Sequence, residues 1–331
     1  MTTSGTVGTT VIDVTSFIEH AVRRCGVSAS IMTAEQQLSA RENLYMLLMD
    51  LANRGVNLWC VEKQVLSLYS NQKVYNLAVG SVDLLRANYR TVQQPTSSAV
   101  SGSGYVGVNY GSGIVVAVAT IGFTPSASAA HTLVAETSPD GATWTQVAAL
   151  ATAATLVAGQ QYWYDIDNTA AAQYWRIRET SGQTLSGATA LFGSSPTEIP
   201  MAKLSRDSYT TLPNQDFAGR PLQYWYDKQA AQPRVWLWPV PNDPTASMVA
   251  WVHRHIQDVG ALTNTLDLPA RWYQTVLYQL AFLTGMEIPT VDKDRLMVVK
   301  QLGDEHLLRA EDGERDGAPI RFAPNIRPYT S

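Results

Sequence analysis

The sequence predicts an α+β chain: a helical core with a small β-sheet, interrupted by an inserted all-β sandwich. Three observations predict it. Charge almost vanishes between Pro95 and Pro196, where 102 residues carry only Glu136, Asp140, Asp165, Asp167, Arg176, Arg178 and Glu179. Within that stretch, short runs rich in Val, Thr and aromatics alternate with turn residues, as antiparallel strands do. Outside it, capping residues and apolar spacings of three and four mark four helices.

Residues 13–25 read as a short helix ended by Gly26. Thr33-x-x-Gln36 resembles a capping box and opens a helix over about 34–54, with Gly55 placed as its C-terminal cap. This helix contains LYMLLM (44–49), six apolar residues in a row. Leu44, Tyr45, Leu47, Leu48 and Leu51 cover most of its circumference, which suits a deep core or a subunit interface. The run stops at Asp50, after Arg41 and Glu42, and is too short to cross a bilayer. VNLWCVEKQVLSLY and KVYNLAV then read as strands joined by a turn at SNQK.

The block from 95 to 196 carries GIVVAVATIGF, HTLVAET, WTQVAAL, YWYDI and YWRIRET as strands. SPDGATW (138–144) is an Asp-Gly hairpin signal. In YWRIR, Tyr174, Arg176 and Arg178 fall on one face, Trp175 and Ile177 on the other. The spacing of the turns suggests a β-sandwich. Beyond it, PLQYWYD, RVWLWPVP and SMVAWVHRHI resume the strands.

Two helices close the pattern. One runs over about 270–287, with Trp272, Val276, Leu280 and Leu283 on one stripe. The other covers about 292–313, where Leu296, Val299, Gly303, Leu307 and Ala310 form a stripe whose small members admit a close second helix. The last segment has three prolines and is not helical. Residues 1–94 and 197–331 are thus expected to form one core, with 95–196 inserted at a surface loop.

Apolar residues make up 45% of the 331 and charged residues 16%, with a net charge of −4. No basic block supports sequence-specific DNA binding. Cys25 and Cys60 form no metal or disulfide pattern, and MTTSGTVGTT lacks the regions of a signal peptide. Gly102–Gly107 matches G-x-G-x-x-G, but a linker precedes it and a strand follows, so a flexible entry to the module is the better reading than a nucleotide fingerprint. His253 and His255, two apart on a strand, lack further metal ligands, and YDIDN with Asp165 and Asp167 lacks an ordered calcium loop. There is no G-x-S-x-G, H-E-x-x-H or P-loop. No catalysis, cofactor or metal is expected. Trp225, Trp236, Trp238 and Trp251 are expected in the core, whereas Trp144, Trp163 and Trp175 of the module are candidate sugar platforms. The tail from 318 to 331 sets Ile320, Phe322, Pro324, Ile326 and Tyr329 beside Arg321 and Arg327, the pattern of an extended docking arm; the alternative is a frayed terminus.

LYMLLMDLANRGVNLWCVEKQ, KVYNLAVGSVDLL, PLQYWYDKQ with RVWLWPVPND, and IRFAPNIRPY resemble the head-to-tail adaptor (connector) proteins of short-tailed bacteriophages. The likeness covers about 1–94 and 197–331. N-R-G-V-N-L-W and W-P-x-P are its most specific parts. The inserted module falls outside it and looks galactose-binding-like or immunoglobulin-like.

The resemblance implies a structural virion protein at the head–tail junction, made in the host cytoplasm. It implies a homo-oligomeric ring, usually of twelve copies, between the portal and a tail nozzle or tail tube. Packaged DNA would pass through the lumen without specific binding, and no membrane is involved. The arm would dock on the portal, and the 34–54 helix would pack against neighbouring copies. The alternative is a carbohydrate-binding or capsid-decorating virion component acting through 95–196, with Trp144 and Trp163 as glycan contacts. A wall hydrolase would need a carboxylate pair that the sequence does not locate.

Overall fold

The structure, a computed structural model, describes residues 11–53, 58–167 and 170–314. It falls into two compact units, Met1–Val61 with His255–Ser331, and Glu62–Arg254. The boundaries therefore lie at 61/62 and 254/255, not at the expected 94/95 and 196/197.

In the first unit, α1 (Val14–Arg24) is capped by Asp13, which accepts from the Ser16 amide at 3.2 Å. α2 (Ala34–Asn53) opens on the expected capping box: Thr33 N donates to Gln36 Oε1 at 3.0 Å and Gln36 N to Thr33 Oγ1 at 3.2 Å. Leu44, Leu47, Leu48 and Leu51 of α2 are buried with Phe17, Ile18, Trp272 and Leu280. Tyr45 and Met46 are 43% and 57% exposed, so α2 has one core face and one open face.

The later strand-rich segment also contains α3 (Arg206–Thr210), and the first unit ends with α4 (Tyr273–Glu287) and α5 (Lys293–Gly313). The stripe of Leu296, Val299, Gly303, Leu307 and Ala310 serves the contact between α4 and α5. A Cβ on Gly303 would sit 3.5 Å from Tyr278 and Gln279 of α4. No helix among the described residues is long and apolar enough to cross a membrane.

The second unit is built from strands. β1 (Val61–Ser67), β2 (Val74–Asn76) and β3 (Ser81–Gln93) come first. β4 (Ser98–Gly102), β5 (Tyr105–Asn109), β6 (Val116–Ala117), β7 (Thr120–Thr124), β8 (Ala129–Ser138) and β9 (Thr145–Leu156) follow. β10 (Tyr162–Asp165), β11 (Ala171–Ala172), β12 (Tyr174–Glu179) and β13 (Thr189–Pro200) complete the low-charge block. β14 (Ala202–Leu204), β15 (Gln223–Asp227), β16 (Arg234–Trp238) and β17 (Ser247–Arg254) end the unit.

These make a six-stranded sheet β1-β17-β3-β13-β7-β10, a five-stranded sheet β4-β5-β12-β8-β9, a four-stranded sheet β14-β15-β16-β2 and the pair β11-β6. Ile121, Phe123 and Phe192 share one core with Leu133, Trp175 and Ile177 of the five-stranded sheet. Ala87, Tyr89, Met248 and Ala250 share another with Tyr224, Val235 and Leu237 of the four-stranded sheet.

This corrects the expected fold class. The described residues hold seventeen strands against five α-helices, and the protein is mostly β, not a helical core with a small sheet. The reason lies in β13. Its first half, Thr189–Gly193, pairs with β7, and after a bulge between Ser194 and Thr197 its second half pairs with β3. The strands flanking the low-charge block thus extend the block's own sheet instead of forming a separate one.

The Asp-Gly reading matches the structure: SPDGATW turns β8 into β9, with Gly141 at φ +76° and Asp140 Oδ1 accepting from the Ala142 and Thr143 amides at 2.9 Å. The G-x-G-x-x-G stretch, expected as a flexible entry behind a linker, is instead the paired β4–β5 hairpin. The tryptophans expected in the core are placed differently. Trp225 and Trp236 stack at 5.7 Å on the outer face of the four-stranded sheet beneath Tyr209 of α3, and Trp251 is exposed.

Candidate functional site

β12 alternates as its sequence predicts. Trp175 and Ile177 are fully buried, which turns Tyr174, Arg176 and Arg178 outward on the five-stranded sheet. Gly107 of β5 lies opposite Arg176, and a Cβ there would fall 2.3 Å from the Trp175 carbonyl oxygen and 2.7 Å from Arg176 Cβ. The missing side chain lets Arg176 lie over β5. Its guanidinium rests 3.8 Å from the Trp144 ring centroid and 5.1 Å from that of Tyr105. Tyr174 meets Trp144 edge-on at 6.4 Å.

Beneath the rings, Glu136 of β8 is buried and takes both cations: Arg176 Nε donates at 2.7 Å and Arg178 Nε at 2.6 Å. Glu136 faces two guanidinium groups, and Asp140, its carboxyl lowered by the Thr143 and Ala142 amides, lies in the same hairpin as Trp144. Cation–π contacts of this kind contribute about 0.5–2 kcal/mol each. The Arg178 side chain is 40% exposed at the rim.

A second polar locus lies on the six-stranded sheet. Arg90 of β3, 3% exposed, reaches Asp165 of β10 at 2.6 Å and Glu198 of β13 at 2.6 Å. Asn88 donates to Glu198 at 2.8 Å, and Lys63 of β1 pairs with Asp165. Burial pushes the Asp165 carboxyl up, but the Arg90 and Lys63 hydrogen bonds and charges outweigh it and hold the group below the usual range. Burial likewise raises Glu198, and Asn88 and Arg90 bring it below its ordinary value. Both carboxylates are thus held ionised. Glycoside cleavage needs the opposite for its proton donor, a carboxyl raised so that it stays protonated.

The sequence-derived site residues scatter. Trp144 sits on the outer platform. Trp163 is 7% exposed on β10, away from that platform, and Trp175 lies in the sandwich core. Leu44, Leu47, Leu48 and Leu51 are core, with Tyr45 open. The arm residues Ile320, Arg321, Phe322, Pro324, Ile326, Arg327 and Tyr329 lie outside the described residues. His253 is a buried strand residue, and among the described residues no cluster of His, Cys, Asp and Glu is arranged for a metal. Sequence reasoning missed Tyr105 and Arg90. The YWRIR alternation already marked Arg176 and Arg178 as outward, but nothing local joins them to Glu136 or Trp144.

No family model matches the chain, and no curated protein matches it. Solved structures do. One is the carbohydrate-binding module CBM62 of Xyl5A from Clostridium thermocellum, with 17% identity over 28% of this chain and 71% of that one, at a TM-score of 0.22. Another is the CBM32 module of AlyQ in complex with 4,5-unsaturated mannuronic acid, with 15% identity over 36% and 96%, at 0.21. A third is a family 89 glycoside hydrolase from Clostridium perfringens, with 14% identity over 38% of this chain and only 14% of the hydrolase, at 0.22.

At these TM-scores the likenesses assign neither a family nor a ligand. They differ from the description that the sequence resemblance led us to expect. The matched structures are carbohydrate-binding modules and hydrolase chains, not phage connector or portal-binding proteins, and of the expected terms only the β-sandwich fits them.

Proposed function

We propose that this protein binds a saccharide through the outer face of the five-stranded sheet and performs no turnover there. The observation that supports this reading is the platform of Trp144, Tyr105 and Tyr174 around Arg176, with Arg178 at its rim. Aromatic faces stack on the C–H surface of a sugar, and guanidinium groups hydrogen-bond its oxygens. The partly exposed Arg178 guanidinium favours a sugar bearing a carboxylate or sulfate. The test is binding of the full-length protein to immobilised acidic and neutral oligosaccharides. Trp144→Ala is expected to weaken binding of the acidic ones by at least about tenfold. Equal binding by wild type and variant would overturn the reading.

A second reading is favoured by the helical unit: the chain as a subunit that assembles with copies of itself, as the resemblance of its flanking segments implied. Tyr45 and Met46 on α2, and Met297, Val298 and Leu308 on α5, are exposed apolar residues. Sedimentation velocity tests it. Met297→Glu with Leu308→Glu should dissociate any oligomer, and a wild-type chain that stays monomeric at high concentration would exclude it.

A further inference from the structure

The edge strands of the six-stranded sheet, β1 and β10, curl toward each other without pairing. Three side-chain bonds tie them. Lys63 pairs with Asp165, Ser67 Oγ donates to the Gln161 carbonyl at 2.7 Å, and the Gln161 amide donates to the Tyr69 hydroxyl at 3.0 Å. The sheet stops one seam short of closure, and the seam opens into a cavity of about 510 Å³.

The chemistry of its wall is uniform. Gln64, Gln72, Asn76, Gln160 and Gln161 contribute amides, and none of the lining residues is charged. Tyr69, Tyr75 and Trp163 contribute rings, whereas Tyr162 and Tyr164 fall on the other face of β10 and pack against the sandwich core. Two of the rings are fixed by their own hydroxyls. Tyr75 Oη accepts from the Tyr69 amide at 3.0 Å, and Tyr69 Oη accepts from the Gln161 amide at 3.0 Å. Trp163 is held differently, with its ring over Gly122 of β7, where a Cβ would meet it at 3.1 Å.

A packing defect is lined by apolar groups and stays dry. This cavity instead offers locked flat rings together with side-chain amides, each of which carries both a donor and an acceptor. An amide can answer vicinal hydroxyls in both senses, while an ionised ligand finds no counter-charge. The volume lies within the range of small-ligand clefts. We propose that the seam between β1 and β10 is a binding site for an uncharged oligosaccharide. It shares no residue with the Trp144 platform and does not depend on that reading.

The test is calorimetric titration of the full-length protein with maltohexaose, cellohexaose and chitohexaose, and with hexagalacturonate as the charged counterpart. At least one neutral hexasaccharide is expected to bind, with hexagalacturonate much weaker at this site. Asn76 and Gln160 are exposed, so Asn76→Ala with Gln160→Ala leaves the fold intact, and it should weaken the neutral ligand at least about tenfold. Gly122→Val, which displaces Trp163 and Gln161 without removing a wall residue, should do the same. The proposal is overturned if no neutral hexasaccharide binds at about 1 mM, or if the Asn76/Gln160 double variant binds as the wild type does.

Discussion

Arg90→Ala removes the cation that joins three strands of the six-stranded sheet. Its guanidinium donates to Glu198 from Nε at 3.0 Å and from Nη2 at 2.6 Å, and to Asp165 from Nη1 at 2.6 Å. Only 3% of the side chain is exposed. Breaking a buried ion pair by deleting one partner costs about 3–5 kcal/mol. Here the lower end applies, because Asp165 keeps Lys63, Glu198 keeps Asn88, and both carboxylates are about 30% open to water. For a body of this size, a loss of about 3 kcal/mol corresponds to a fall in Tm of about 6–12 °C.

The pH dependence carries a sign. Asp165 and Glu198 are lowered from ordinary values of 3.8 and 4.5 in the folded state. Their contribution is therefore complete above those values and is lost as pH falls through the depressed ones. The gap in Tm between wild type and Arg90→Ala should be full at pH 7 and close progressively below about pH 4. Calorimetric melts across pH 3–7 measure it. A difference under about 2 °C at pH 7, or one that does not change with pH, would refute the reasoning.

Other outcomes follow from local geometry. Gly107→Ala drives a methyl into the Trp175 carbonyl and should cost about 1–3 kcal/mol in a chemical melt. It should do so with no nucleotide present, as expected of a packing glycine and not a phosphate cradle. Thr33→Ala deletes half of the capping box on α2 and should cost about 1 kcal/mol, read as lost helicity or Tm. Burial raises the Cys25 thiol, and its sulfur donates to the Ala281 carbonyl at 3.1 Å. Cys25 should therefore resist a disulfide reagent at pH 8 until denaturant is added, and rapid labelling of the native protein would contradict its burial.

Local signals were readable where the chain interacts with its near neighbours. The capping box, the Asp-Gly turn, the YWRIR alternation and the helix stripes depend on residues within one or two turns of each other, and each stands where expected. What could not be read was the partner across a long separation. β13 gives no sign in its sequence that it leaves β7 for β3 at Ser194, yet that change of partner decides the fold class. The burial of Trp163 and Trp175 follows from which face of a strand meets the opposite sheet, which composition does not encode. Arg176 comes from β12, Glu136 from β8 and Trp144 from the turn before β9, and only the register of β12 with β5 and β8 assembles them. LYMLLM conceals its own periodicity: the apolar run is unbroken, yet Leu44, Leu47 and Leu48 face the core while Tyr45 and Met46 face outward.

The continuity of β13 has a mechanical consequence. A load applied at β7 would travel along the β13 backbone and pass through the β13–β3 hydrogen-bond ladder, and not across a separable joint. The low-charge block cannot then be removed as a cassette, because cutting at 95 and 196 severs the beam on which both halves of the second unit hang. A chain shortened there would lose the ladder between β13 and β3 along with the sandwich.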